Sequence, residues 1–221
     1  VSCIHFFLPG NTLKLKLTFS LSTFWNILRF GIIDASTHLF LSLFTASLNF
    51  FVIRRFGSDR LILVSVINLI KEAQIVFEGI GEAITPLISV YLGEENSPGI
   101  RKTWKLARIT QWVEYILCFL VLNTAAGFII NLLGIQESDL SGYGTRGLRM
   151  MSLTLIFICR MFLDSSYFIL VERILLGVFD SFLCHLFPAL PLAVLGGMAG
   201  GIYGMFFGLT LAPAIGYLIS F

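Results

Sequence analysis

Apolar runs of twenty or more residues, broken by short charged turns, constrain this chain more than any other feature. A membrane-spanning helix takes about 20 mostly apolar residues. In lipid only helices and closed barrels satisfy every backbone group, and these runs lack the short alternating pattern of barrel strands. The fold class is therefore all-α, a polytopic membrane protein whose partner is the lipid bilayer. With 57% of 221 residues hydrophobic and 13% charged, against about 25% charged in a soluble domain, the chain cannot cover a soluble surface. A net charge of +2 gives no argument for nucleic acid.

Six spans are expected, at about residues 25–53, 61–92, 104–133, 148–171, 174–195 and 198–220, after a semi-polar lead over 1–24. The chain opens on Val1, and Lys14 and Lys16 follow the first apolar run rather than precede it, so the lead is not a signal peptide and reads as part of a longer protein. Cys3, Cys118, Cys159 and Cys184 are widely spread and read as small apolar residues.

The polar residues inside the spans are not scattered. Asp34, His38, Ser42, Thr45 and Asn49 recur every three or four residues and form one stripe on the first helix. Asn68, Lys71, Gln74, Glu78, Glu82, Thr85 and Ser89 do the same on the second. A membrane carboxyl is costly without a partner or water, so such acids mark candidate functional sites. His38 reads equally as an interior hydrogen-bonded histidine or as a group that handles protons or substrate. The second seam reads equally as a polar network between helices. Pro86 is tolerated there because neighbouring hydroxyls, with Thr85 and Ser89 close by, re-satisfy the freed backbone.

In the fourth span Arg160 and Asp164 stand one turn apart and can pair, although a mid-membrane Asp is also a candidate cation site. In the fifth, Asp180 lies within two turns of the end, at the level of the interface. In the sixth, Gly196, Gly200, Gly204, Gly208, Ala212 and Gly216 repeat every four residues, a small-residue ridge for close helix approach.

Basic residues set orientation. With both termini cytoplasmic, the inside set is Lys14, Lys16, Arg29, Arg101, Lys102, Lys105, Arg108 and Arg173, against Arg54, Arg55, Arg60, Arg146 and Arg149 outside. No nucleotide-binding Gly-rich loop, His-Glu-x-x-His or Gly-x-Ser-x-Gly occurs. Acids dispersed along helical seams suit a polar pathway better than a catalytic centre, and neither an enzyme nor a metal site is expected.

The run from Phe77 to Asn96, FEGIGEAITPLISVYLGEEN, resembles the second helix of the C-terminal lobe of multidrug and toxic compound extrusion (MATE) transporters. There a Gly-Ile-Gly-x-Ala-x-x-Pro-Leu-Ile-Ser stretch leads to a Gly and an Asn before the next helix. Asn11 to Lys14 looks like the connector between lobes. Arg29-Phe30-Gly31 opens a helix ending in Asn49 and then Arg54 to Gly57. Arg101 to Arg108 starts the third helix, and Ser166-Tyr167-Phe168 falls in the fourth. The resemblance covers about residues 11 to 220.

It implies one lobe, helices seven to twelve, of a twelve-helix transporter whose two six-helix lobes are related by a pseudo-two-fold axis. The implied partners are a missing N-terminal six-helix lobe and small amphipathic, often cationic substrates. These are exported by alternating access in antiport with H+ or Na+, the only cofactor expected. The implied location is the plasma or inner cell membrane. In members with coupling acids in this lobe, those acids sit on the seventh and tenth helices, and the acids standing nearest here are Asp34 and Asp164. Many members carry Gln where Glu82 and Thr85 stand and Pro where Ile33 stands. The candidate cation and substrate cavity residues are Asp34, His38, Asn49, Lys71, Gln74, Glu78, Glu82 and Asp164.

Three alternatives stand beside this reading. A lipid-linked precursor flippase shares the fold. An intramembrane enzyme would use Asp34, His38 and Glu78 as acid and base in a closed pocket. The seams could also be structural, with substrate contacts in the other half.

Overall fold

In a computed structural model, residues 20–171 and 173–220 are described, apart from the side chains of residues 26, 29, 30, 34 and 138. The lead over residues 1–19, with Cys3, Lys14 and Lys16, lies outside the described residues, as do the side chains of Arg29 and Asp34. The described residues are helical and contain no strand.

Helix α1 is Leu21–Phe56, α2 Leu63–Gly93, α3 Ser97–Thr124, α4 Ala126–Leu132, α5 Ser138–Ser152, α6 Leu155–Leu170, α7 Ile174–His185 and α8 Ala189–Ser220. Ser20 caps α1 by accepting from the Thr23 amide, and Asn96 caps α3 by accepting from that of Gly99. α3 begins at Ser97, where Asn96 and Pro98 provide the start signal, seven residues ahead of the expected Trp104.

Gly31–Phe56, Ser97–Thr124 and Ile174–Ser220 are each long and apolar enough to cross a membrane. The pair Asp139–Ser152 and Leu155–Leu170, bent by 46°, makes a fourth such segment. The 47 residues of Ile174–Ser220 would measure about 70 Å as one rod, more than twice a hydrocarbon core of about 30 Å. They double back instead. The backbone of α8 breaks at Gly200 and at Gly201, whose φ is 62°. A Cβ on Gly196 would overlap the Gly204 carbonyl, one on Gly204 the Gly196 carbonyl, and one on Gly208 the Leu192 carbonyl. Residues 189–199 and 202–220 are thus the arms of a tight helical hairpin. The glycine repeat straddles its turn, so part of the expected ridge faces itself.

α2 carries Lys71, Glu72, Glu78 and Glu82 yet runs unbroken through Pro86. The Thr85 hydroxyl donates to the Gly81 carbonyl at 2.7 Å, and Ser89 donates to the Thr85 carbonyl at 2.9 Å. The apolar core joins Phe44 and Leu48 of α1, Ile67 and Phe77 of α2, Leu148 of α5, Leu155 of α6 and Phe206 of α8. α1 packs chiefly on α7 and barely touches α2, whereas α2 packs on α3 and α6. A gap is left between the two polar seams.

Gly204→Ala is expected to drive a methyl into the Gly196 carbonyl and cost about 1–3 kcal/mol, read as a lower midpoint of thermal unfolding in detergent. Gly200→Ala, where an added Cβ meets nothing within 4 Å, is the matched control.

Candidate functional site

Four helices enclose a polar cavity of about 430 Å3. α1 contributes Thr37 and His38, α2 Glu78, Glu82 and Thr85, α6 Ser165 and Ser166, and α7 Asp180, Ser181 and His185. The helical period that aligns Glu78, Glu82 and Thr85 on one face of α2 brings all three to the same wall. α1 is held against α7 by a hydrogen bond between the Thr37 and Ser181 hydroxyls at 2.9 Å. α2 and α6 approach at Gly81, where a Cβ would overlap Ser166 Oγ. Glu82 and His38 are exposed at the rim, and Glu78 is half-buried.

Asp180 is the most enclosed acid of the cavity, 1% exposed. Ser165 of α6 donates to its Oδ2 at 2.8 Å, and Ser220, the last residue of α8, donates to its Oδ1 at 2.8 Å. A buried carboxylate is tolerable only when its oxygens are hydrogen-bonded, and here both are. The arrangement ties α6, α7 and the end of α8 to one side chain. One turn on, buried His185 donates from Nδ1 to the Ser181 carbonyl at 3.0 Å, and its ring meets Phe162 edge-on at 6.0 Å.

The residues expected to share one cavity divide. His38, Glu78 and Glu82 line it. Asn49 and Lys71 line a second cleft of about 500 Å3 between α1 and α2, with Ser42, Thr45, Asn68 and Glu72. Lys71 is buried there, its Nζ 4.8 Å from the centroid of the Phe44 ring, a cation–π contact that partly replaces lost hydration. Gln74 is buried, and its Nε2 finds no hydrogen-bond partner. Asp164 is not among the residues lining the cavity; its Oδ2 stands 3.6 Å from Arg160 Nε. Asp34 belongs to α1, and its side chain lies outside the described residues.

Asp180, expected at the level of the interface, is buried within the lobe, where Ser220 at the end of the second arm of the hairpin donates to it. The pattern that could have flagged it is Asp180, Ser181, Cys184 and His185, four small or polar residues on one face of α7. Among the described residues no group of three or more His, Cys, Asp or Glu is placed to hold a metal ion.

These features define a class: a helical membrane lobe with a polar, acid-lined cavity at its centre. The fold is that of half a MATE transporter. An outward-facing multidrug resistance MATE family transporter of the MOP superfamily matches at a TM-score of 0.83 and 16% identity over 96% of this chain. A MATE bound to MaL6 matches with the same values. An inward-facing MATE family transporter matches at a TM-score of 0.79 and 16% identity over 99% of this chain. The chain spans about half the length of these structures, 49% of the first two and 52% of the third. No protein-family model and no curated protein matches the sequence.

Removing either hydroxyl, as Ser165→Ala or Ser220→Ala, leaves one Asp180 oxygen without its donor. Each change is expected to destabilise the protein by about 1–3 kcal/mol, read as a lower thermal midpoint in detergent. Ser58→Ala, on the exposed turn between α1 and α2, is expected to leave it unchanged.

Proposed function

We propose that this chain is the C-terminal lobe of a secondary transporter that exports amphipathic or cationic compounds in antiport with H+ or Na+. One observation carries the reading. Glu78, Glu82 and Asp180 line one cavity, and its described lining residues include no Lys or Arg. A cavity with that charge balance attracts cations and repels anions. Its half-open form also suits passage better than catalysis, since His38 and Glu82 stand exposed at the rim rather than in a closed pocket.

The mechanism follows from competition for the carboxylates. A proton or sodium ion and a cationic substrate are held by the same negative groups, so binding one releases the other. An ion that binds one conformer more tightly than the other shifts their populations by that difference in affinity. The second cleft, with Asn49 and Lys71, would face an N-terminal six-helix lobe. Rocking of one lobe against the other would expose the cavity to each side in turn. Both termini would be cytoplasmic and the membrane the plasma or inner membrane.

The test is ethidium efflux from cells expressing the complete two-lobe protein. Asp180→Asn and Glu82→Gln each remove a charge that the substrate and the coupling ion share, and each is expected to slow efflux about tenfold or more, which corresponds to at least 1.4 kcal/mol of lost interaction. Wild-type rates in both variants, at equal expression, would overturn the reading. The 221-residue chain expressed without a second lobe is expected to give no efflux.

A further inference from the structure

A second site lies on the opposite side of α6 from the cavity. Arg108, Gln111, Trp112 and Tyr115 of α3, Arg160 of α6 and Tyr217 of α8 surround a pocket of about 280 Å3. We propose that this pocket holds the phosphodiester headgroup of an anionic phospholipid, with one acyl chain lying along the outer face of α3.

Charge is the first argument. Two guanidinium groups from different helices converge on one small space, which is unfavourable unless anions accompany them. Asp164, 3.6 Å from Arg160 Nε, offsets one charge. Glu114 of α3 also acts on Cys159 in the pocket wall, and the exposed Arg108 is the guanidinium left open to an anion from the bilayer.

Unmet hydrogen bonding is the second. Arg160 Nε is buried and makes no hydrogen bond, because Asp164 stands beyond bonding distance. Gln111 is already engaged, its Nε2 donating to the Cys159 carbonyl at 2.6 Å. A guanidinium presents a planar fork matched to phosphate oxygens; Nε of Arg160 is closed off beside Asp164, so the fork open to a phosphate is that of the exposed Arg108.

Position is the third. α3 has 28 residues, about 42 Å, against a hydrocarbon core of about 30 Å. Its first two turns, with Arg101 and Lys102, therefore stand outside the hydrocarbon. Arg108 and Trp112 follow near the boundary, where arginine side chains reach back to headgroup level and tryptophan anchors. Trp112 is 54% exposed, and Ile116 and Leu120 continue its row at 50% each, an apolar track for an acyl chain. Basic pockets between membrane helices are a recurring form of anionic lipid site.

The full chain, purified in detergent and stripped of lipid, is titrated with dioleoylphosphatidylglycerol and followed by native mass spectrometry. One lipid is expected to be retained per chain. Arg108→Gln and Arg160→Gln are each expected to weaken it about tenfold, the worth of one charge-assisted contact. Lys102→Gln, on the same helix but outside the pocket, is expected to have little effect. Arg108 is exposed, so Arg108→Gln decides the matter even if Arg160→Gln fails to fold. Equal affinity for dioleoylphosphatidylcholine, full displacement by millimolar inorganic phosphate, or an equal loss in Lys102→Gln would each overturn the proposal.

Discussion

Helices in lipid gain little from hiding apolar surface from one another, because the surrounding chains are as apolar as the helices themselves. This lobe therefore depends on backbones coming close, and glycine is what permits it. Gly81 lets α2 meet α6 at Ser166, and Gly196, Gly204 and Gly208 bring the arms of α8 into backbone contact. Polar bonds add to this. α1 and α7 meet at Gly177, against Ile33, and are joined by Thr37 and Ser181, while Gln111 reaches the Cys159 carbonyl across α3 and α6. Dispersion between close backbones and a few enclosed hydrogen bonds together do what apolar burial does in a soluble protein.

The same economy explains where the cavity lies. α1 is committed to α7 and α2 to α3 and α6, which leaves the two polar seams facing a space and not each other. The seams are then divided by depth. The part near Lys71 and Asn49 forms one cleft, and the part near Glu78 and Glu82 joins Asp180 and His185 in another. Gln74 lies buried along the same seam. A stripe that is continuous along one helix lines two clefts once its neighbours are in place, with buried Lys71 close enough to act on Cys184 and His185 of the other.

Much of this was legible in the chain itself. The all-α membrane class followed from apolar runs too long for barrel strands, and both polar stripes followed from their period. The likeness of Phe77–Asn96 to one helix of a known transporter lobe agrees with the fold observed over nearly the whole chain. Two features stayed hidden, for physical reasons. The enclosure of Asp180 is one, since its place along α7 gives no sign of Ser220, forty residues later, which bonds to it. The glycine repeat looked like the face of one helix because periodicity ignores breaks. A break was expected between the spans ending at 195 and starting at 198, and the adjacent Gly200 and Gly201 place it a few residues later, inside the repeat. Asp164 illustrates a different limit. Its spacing from Arg160 was plain, but which side of α6 the pair occupies depends on the packing of α3 and α8.

The hairpin of α8 also bears on how the chain enters a membrane during synthesis. From Ile174 to Phe221 the sequence holds no Lys or Arg, so the last two helical arms carry no charge of their own to choose a side. Their turn is two glycines long, so the nearest basic residue that can set their direction is Arg173, ahead of both arms.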